Sequence, residues 1–561
     1  MDNNEIASRF SLLAKLMEIH GENSFKSKTY SIAAYKIDQL TVDLQTLSSG
    51  EIFSINGIGD AIGKKILELK ETGNMKALEE IMAKTPEGIF EMMKIKGIGP
   101  KKISIIWKEM NVENIGELLY ACHENRLSLL KGFGRKTQDT IIESIEFFLR
   151  QKGNYLYAEV EQLAKVIEHL FRKIFSSEKI KNTGAFAKQH ETLEALEFAI
   201  PFAEEIILEK MTTLPEFNLS EKNDQYLLYQ YRNGINVKLH ATDDINLVQK
   251  TFELNSSPGF TNAFYKKFPE MNFQNAISEE DIFTHAGLQY IPAYLRETGN
   301  VIELAKERKI PSLINPRDIK GIIHCHSNWS DGSNTLEELA KACINKGYEY
   351  IVISDHSKSA FYAQGLSEEK ISAQHRLVDE LNLKLSPFKI FKSIESDILN
   401  DGSLDYNNNI LSTFDLVIAS IHSNLKMSEE KAMMRLLNAI ENRYTTILGH
   451  MTGRLLLSRK GYPVDHKKII DACAANNVVI EINAHPRRLD IGWQWLEYAL
   501  SKNVLVSIDP DAHAIPEFEN TRYGVLVAQK GMVTPQKNLS SFGLLAFENF
   551  LKENKQNKIV H

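Results

Sequence analysis

Cysteine is scarce. The 561-residue chain has four, Cys122, Cys325, Cys343 and Cys473, far apart and with no Cys-x-x-Cys pair. That excludes a disulfide scaffold, a zinc ribbon and a redox dithiol, and it points to a reduced, cytoplasmic protein. Long hydrophobic runs are missing too. No stretch approaches the ~20 apolar residues needed to cross a bilayer, so no membrane partner is expected, and the polar start MDNNEIASRF does not read as a secretory leader. Neither sign of charge dominates: 73 acidic and 66 basic residues leave a net charge of −7. A nucleic-acid contact would therefore be local, not a general basic coat. With 43% hydrophobic and 25% charged residues, a long disordered chain and a collagen-like fibre are excluded. At roughly 100–200 residues per domain, the length allows about three to five domains.

Residues 1–150 carry apolar positions at helical spacing through Ile6–Ile19, Tyr30–Leu47, Ala61–Leu69 and Thr137–Leu149, with glycine-centred breaks between them. Residues 151–300 mix a helix over Tyr157–Phe175 with extended stretches at Ala195–Phe202, Tyr226–Tyr231 and Asn236–His240. Glu307–Asp318 contains Pro311 and Pro316 and reads as a linker. From Lys320 onward, seven apolar strand candidates alternate with helical stretches: 321–326, 349–355, 389–395, 415–422, 445–450, 478–483 and 504–509. Repeated βα units predict a parallel sheet, and seven of them favour a closed or nearly closed barrel.

The histidines fall where those strands end. Of 16 histidines, six lie at or just beyond the C-terminal ends: His324, His326, His356, His422, His450 and His513. Asp331, Asp355, Glu395 and Asp511 accompany them. Strand C-termini of a βα barrel converge on one face, and His-x-His on a strand sends both rings to the same side. So many donors exceed the needs of one tetrahedral ion. Two or three divalent ions bridged by a carboxylate such as Glu395 use them better, and mixed nitrogen and oxygen donors suit manganese, zinc or iron. Such clusters serve phosphoester hydrolysis, with a metal-bound water as nucleophile. Arg454 is a candidate fork for phosphate oxygens or else a surface arginine, and Lys358 is a candidate of the same type.

The segments IIHCHSNWSDG, ISDHSKSAFYAQGL, SIESDIL, ASIHSN, GHMTGRLLL, EINAHPRRLD and PDAH resemble a PHP (polymerase and histidinol phosphatase) domain over residues 320–535. The resemblance implies a distorted seven-stranded barrel and a trinuclear metal centre. Its nine ligand positions correspond to His324, His326, Asp331, His356, Glu395, His422, His450, Asp511 and His513.

Three N-terminal segments share an apolar-x-Gly-apolar-Gly core: INGIGDAIGKKI (55–66), IKGIGPKKISII (95–106) and LKGFGRKTQDTI (130–141). The pairs Gly57/Gly59, Gly97/Gly99 and Gly132/Gly134 permit tight turns opening into helices, whose first amides can hold a phosphate without reading sequence. Lys64, Lys65, Lys101, Lys102, Arg135 and Lys136 follow the turns. These read as helix-hairpin-helix motifs, and DNA is the expected partner. FKSKTYSIAAYKI (25–37) resembles the entrance of the small lyase domain of polymerase beta-like enzymes. That likeness would set Lys26 at a 5′-phosphate and Lys65 at the Schiff-base position. A solvated, phosphate-binding Lys65 is the other reading.

The order of these parts, with EDIFTHAGLQYIPAYLRE (280–297) and RYGVLVAQKG (522–531), resembles a bacterial family X DNA polymerase. The implied fold is multidomain. A lyase-like helical domain with the first hairpin spans 1–85, and a fingers-like hairpin domain spans 86–150. An α+β polymerase beta-like palm and thumb spans 151–306, a linker 307–319, and an α/β (βα)7 PHP barrel 320–561. The sequence departs from the family in the palm segment TGAFAKQHETLEALEFAI (183–200), where Gly184 stays but Ala185 replaces a serine. Ala195 and Glu197 occupy two of the metal-binding aspartate positions, and Lys238 the third. A unit charge and a divalent ion ~4 Å apart interact by roughly 8 kcal/mol at an effective dielectric of 20, attractive for aspartate and repulsive for lysine. The expectation is a repair protein that degrades DNA 3′ ends in the 3′–5′ direction at the barrel, as in base excision repair. Abasic-site cleavage at the same metals is possible, and gapped or nicked DNA is a suitable substrate. The alternatives are an active gap-filling polymerase and a non-catalytic DNA-binding scaffold.

Overall fold

A computed structural model of the chain describes every residue except Gln151, Asn233 and His561. It divides into two compact units, Met1–Cys122 with Leu127–Glu146, and His123–Arg126 with Phe147–His561. Among the described residues no helix is long and apolar enough to cross a membrane. All four cysteines are buried and free.

The first unit is helical. Its opening helix, Asn3–His20, starts with an Asp2–Glu5 capping box and stops at Gly21. The sequence predicts one helix over Tyr30–Leu47, whereas the helix runs Ser24–Asp38 and the chain then turns. The Asn3 side chain explains the stop. Its amide donates to the Val42 carbonyl at 2.9 Å and its oxygen accepts from the Leu44 amide at 2.9 Å. Those backbone groups are thereby taken from a continuing helix, and Leu44 is buried.

The three glycine motifs share one geometry. Gly57, Gly97 and Gly132 have φ of 92°, 91° and 91°, left-handed conformations that suit glycine. The next residues, Ile58, Ile98 and Phe133, are buried, and their amides close the turns onto Ile55, Ile95 and Leu130 carbonyls at 3.0, 3.3 and 3.0 Å. Gly59 and Gly99 are the N-caps of Asp60–Thr72 and Pro100–Met110, with no side-chain cap, and Gly134 precedes Arg135–Arg150. A Cβ on Gly59, Gly99 or Gly134 would meet nothing within 4 Å.

The second unit begins with the palm-like region. Strands β1 (Asn182–Thr183), β2 (Leu196–Ile200), β3 (Phe217–Lys222), β4 (Leu227–Tyr231) and β5 (Ile235–Ala241) form a sheet in the order β1-β2-β5-β4-β3. Only β2 and β5 pair in parallel. Helix Tyr157–Phe175 covers the sheet, with Phe171 against Phe198 at 5.0 Å between ring centres. Helices Leu247–Leu254, Pro258–Lys267 and Glu279–His285 pack around Phe252, Phe264 and Phe283. The segment read as a linker is strapped down: Ile314 is fully buried and donates to the Val533 carbonyl at 3.0 Å.

The seven predicted strands are present as β6 (Gly321–Cys325), β7 (Tyr350–Ile353), β8 (Lys389–Asp397), β9 (Leu416–Ser420), β10 (Thr445–Leu448), β11 (Val479–Asn483) and β12 (Val506–Asp509). They lie in chain order and pair in parallel throughout. Closure is nearly complete: beyond β12, Ala512 bridges to Cys325, and the His326 amide donates to the Ala512 carbonyl at 2.8 Å. Helix Leu544–Val560 stops the opposite end, with Phe547 stacked on Tyr350 at 4.5 Å. The strands are buried on both faces, which accounts for their continuous apolar runs.

Candidate metal centre

The C-terminal strand ends bring the six histidines and three of the carboxylates together. Glu395, on β8, lies at the centre. His422 Nε2 is 3.1 Å and His450 Nε2 2.9 Å from its Oε1, with His324 Nε2 at 3.3 Å, while His356 Nδ1 is 3.0 Å from Oε2. Asp511 Oδ1 is 3.2 Å from His326 Nε2 and 3.4 Å from His324 Nε2. Asp331 reaches His356 at 3.4 Å and His513 at 3.5 Å. Eight of these side chains fall into three overlapping sets able to hold an ion: His326, Asp331, His356 and His513; His324, His326 and Asp511; and His356, Glu395 and His422. His450 joins through Glu395.

The donor atoms fit cations. His324 Nε2, His326 Nδ1, Asp331 Oδ2, His356 Nδ1, Glu395 Oε2, His450 Nδ1 and His513 Nε2 are all buried and make no hydrogen bond. Buried polar atoms are ordinarily paired, so this concentration of unpaired imidazole and carboxylate atoms is the arrangement a divalent cluster satisfies. Burial would raise the Glu395 and Asp331 carboxyl pKa values, but the charge of the surrounding histidines holds both well below the ordinary range.

The way His324 reaches the cluster differs from the alternation argument. The β6–β7 register shifts between Ile322 and Cys325, and His324 has φ of 59°. A bulge, not simple period two, aims its ring. Asp511, with φ of 52°, is bent in the same way.

Two acids that sequence reasoning missed orient the rings. Glu481, on β11 and fully buried, accepts from His324 Nδ1 and from the His450 amide. Asp397, at the end of β8, is 2.6 Å from His422 Nδ1. Each fixes a tautomer that leaves Nε2 facing Glu395. The available signal was an acid inside a fully buried apolar strand, which survives only if it is paired. Asp355, grouped with the candidate ligands by position, instead buttresses a loop. It accepts from the Ser327 amide and hydroxyl, from the Ser330 hydroxyl and from the Gln374 amide.

Arg454 requires a correction. Its guanidinium donates to the Arg488 carbonyl at 2.9 Å and to the Leu489 carbonyl, and it pairs with Glu191 at 2.7 Å. Those bonds tie the palm to the barrel and leave the group committed away from a phosphate. Lys358 is exposed, with Nζ 5.0 Å over the Tyr406 ring.

In the helical unit Lys26, Lys101, Arg135 and Lys136 are exposed. Lys64 pairs with Asp60 at 2.8 Å, and Lys102 donates to the Gly97 carbonyl at 3.3 Å. Lys65 is half-buried with Nζ 6.0 Å over the Tyr30 ring.

In the palm, Ala195 is buried, and Glu197 and Lys238 face each other in register on β2 and β5. Glu197 is occupied. His240 Nε2 lies 3.0 Å from its carboxylate, and Gly184 sits so close that a Cβ there would come within 2.5 Å of Oε1. Burial pushes its pKa up, but the hydrogen bond and charge of His240, with Lys238 and Lys188, bring it below the ordinary value.

Three family matches cover most of the chain: a helix-hairpin-helix domain over residues 1–75, a SAM-like helix-hairpin-helix tandem over 89–146 and a PHP domain over 323–485. DNA polymerase/3′-5′ exonuclease PolX of Bacillus subtilis is 31% identical over 99% of this chain and 100% of its own length. The chain belongs to the PolX family. Two probable phosphatases are similar to a part of the chain. That of Caldanaerobacter subterraneus is 30% identical over 28% of this chain and 60% of its own, and that of Shewanella loihica 24% over 29% and 62%.

Proposed function

We propose that this chain hydrolyses DNA phosphodiesters from the 3′ end, in the 3′–5′ direction, at the barrel cluster, while the hairpin turns hold the backbone. The observations that carry the reading are the convergence of His324, His326, Asp331, His356, Glu395, His422, Asp511 and His513 in three ion-sized sets, with His450 against Glu395, and the buried atoms without hydrogen bonds on His324, His326, Asp331, His356, Glu395, His450 and His513. Two or three manganese, zinc or iron ions held there would generate a nucleophile from water at neutral pH and offset the charge of the phosphate. The chain's own part is to hold Glu395 among His324, His356, His422 and His450 and to lock ring tautomers through Glu481 and Asp397. The amides that open the helices after Gly59, Gly99 and Gly134, the first two without a side-chain cap, are flanked by Lys101, Arg135 and Lys136 and supply sequence-independent phosphate contacts. On this reading the units are 1–85 (lyase-like), 86–150 (hairpins), 151–306 (palm and thumb), a strap 307–319 and a nuclease barrel 320–561. An abasic-site cut at the same metals is compatible with it.

We also propose that the palm no longer transfers nucleotides. Support comes from Ala195 and Lys238 at two carboxylate positions and from Glu197 bound to His240. The test is manganese with 5′-labelled gapped DNA. Shortening is expected, and the His324→Ala/His326→Ala double variant abolishes it; equal shortening by that variant sinks the nuclease reading. The relative's name also includes polymerase activity. Primer extension by the double variant with magnesium and nucleotides would establish that activity, and none is expected.

A further inference from the structure

The tetrapeptide His123–Arg126 lies in sequence between two stretches of the helical unit, yet it groups with the barrel. Asn125 fastens it there. Its Nδ2 donates to Ser333 Oγ at 3.0 Å and to the backbone carbonyl of Asp331, a member of the cluster, at 3.4 Å. Arg126 is thereby seated beside the metal centre, its guanidinium carbon 4.1 Å from the centre of the Tyr362 ring. Nη1 pairs with buried Glu124 at 3.2 Å, which fixes one edge of the fork. The Nε is buried and has no hydrogen-bond partner. A guanidinium held over an aromatic ring, with a buried donor unfilled, is preorganised for an oxyanion.

Tyr362 belongs to a single turn, Phe361–Ala363, in the loop that follows His356. Ala360, Ala363 and Leu366 are fully buried, so the turn is anchored, yet Phe361 is 77% exposed. Its ring lies 5.7 Å from that of Tyr362. Phe361, Tyr362 and Arg126 therefore touch in series, from an exposed aromatic ring to a guanidinium close enough to feel the charge of Asp331. An open aromatic face next to a phosphate donor is the pairing by which single strands are held, base on ring and backbone on cation.

We propose that Arg126 and Phe361 clamp the end of a DNA strand at the metal centre, Arg126 taking a backbone phosphate through its Nε edge and Phe361 stacking a base of the same strand. This rests on the nuclease reading. It assigns to Arg126 the role that the sequence suggests for Arg454.

The experiment uses full-length protein with manganese, a 5′-labelled single-stranded oligonucleotide, and bis(p-nitrophenyl) phosphate as a diester without a base. Metal content and melting are measured on every variant. Arg126→Ala is expected to lower kcat/KM on the oligonucleotide by about 10–100-fold, the loss of a hydrogen bond to a charged group, at unchanged metal content. Arg126→Lys, which keeps the charge and loses the fork, recovers only part of the loss. Phe361→Ala is expected to lower the preference for the oligonucleotide over the small diester by about tenfold. Wild-type rates from Arg126→Ala overturn the clamp and leave the nuclease reading standing, as does a loss explained by missing metal. If Arg126→Ala melts early, Arg126→Lys decides: full activity overturns the phosphate role. Equal slowing of both substrates by Phe361→Ala overturns the stacking role. A metal-loaded wild type that shortens no DNA removes the nuclease reading itself.

Discussion

Replacing Glu481 with glutamine changes almost no volume and replaces none of the candidate ligands, so it isolates the orientation of the rings. The carboxylate receives the His324 Nδ1 proton on one oxygen, and the His450 amide with Asn483 Nδ2 on the other. Glutamine has one oxygen. If that oxygen serves His324, the NH2 group meets the His450 amide, donor against donor, at a site with no solvent exposure. If it serves His450, the NH2 group faces His324 Nδ1 and forces the proton onto Nε2, the atom aimed at Glu395 and Asp511. Either placement leaves a buried group unsatisfied at about 1–3 kcal/mol. Loss of such a ring-orienting partner costs ~10–100-fold in metal affinity, about 1.4–2.7 kcal/mol. Equilibrium dialysis of Glu481→Gln against graded free manganese, with metal per chain read by atomic absorption, should show that shift. An unchanged midpoint would refute the tautomer argument.

Chelation followed by dialysis should abolish DNA shortening while duplex affinity, read by fluorescence anisotropy, persists; loss of both would place DNA binding at the metals. Gly97→Ala and Gly132→Ala should each cost roughly 1–2 kcal/mol, because alanine is strained at φ of 91°. Gly99→Ala, at φ of −86° with open space for a methyl, should melt like wild type but bind duplex more weakly, and unaltered binding would remove the turn from the DNA contact. Glu297 is half-buried, which opposes ionisation, but His190 at 2.9 Å and Lys530 at 2.6 Å lower its pKa to about 2. A lowered acid contributes stability above its unfolded pKa near 4.5 and loses it as pH falls toward 2. Denaturation of Glu297→Gln should therefore lack roughly 3 kcal/mol of the wild-type decline across that interval, and identical slopes would exclude the pairing.

Much of the barrel was legible because a strand buried on both faces is written as an uninterrupted apolar run, and six of the seven such runs end in candidate ligands. The hairpins were legible because a turn at φ near 91° suits glycine. What escaped was set by side chains acting across the chain. Asn3 ends a helix more than thirty residues downstream by taking its carbonyl and amide groups. Arg454 follows a cluster histidine by four positions but is captured by Glu191 and two carbonyls. Arg126 is supplied from about two hundred residues before the residues it adjoins. Spacing along a chain carries no information about such arrivals. Glu481 and Asp397 were half legible, as acids in apolar strands, but which ring each would hold was not.

The two carboxylate neighbourhoods of the second unit answer one question differently: what neutralises a buried acid. In the palm Glu197 is answered from within the protein, by His240 at 3.0 Å and by Lys238 across the sheet. Nothing more is required for that pocket to be stable. In the barrel the surrounding histidines answer Glu395 and Asp331 in charge, yet seven nitrogen and oxygen atoms stay buried without hydrogen bonds, and a buried group left wholly unsatisfied costs about 1–3 kcal/mol. A fold that retains so many buried groups without hydrogen bonds around shared carboxylates is completed by an external partner that serves several of them at once. A shared set of cations supplies one that many separate hydrogen bonds could not. The same arithmetic predicts that thermal stability rises steeply with manganese through the barrel and stays indifferent to magnesium through the palm.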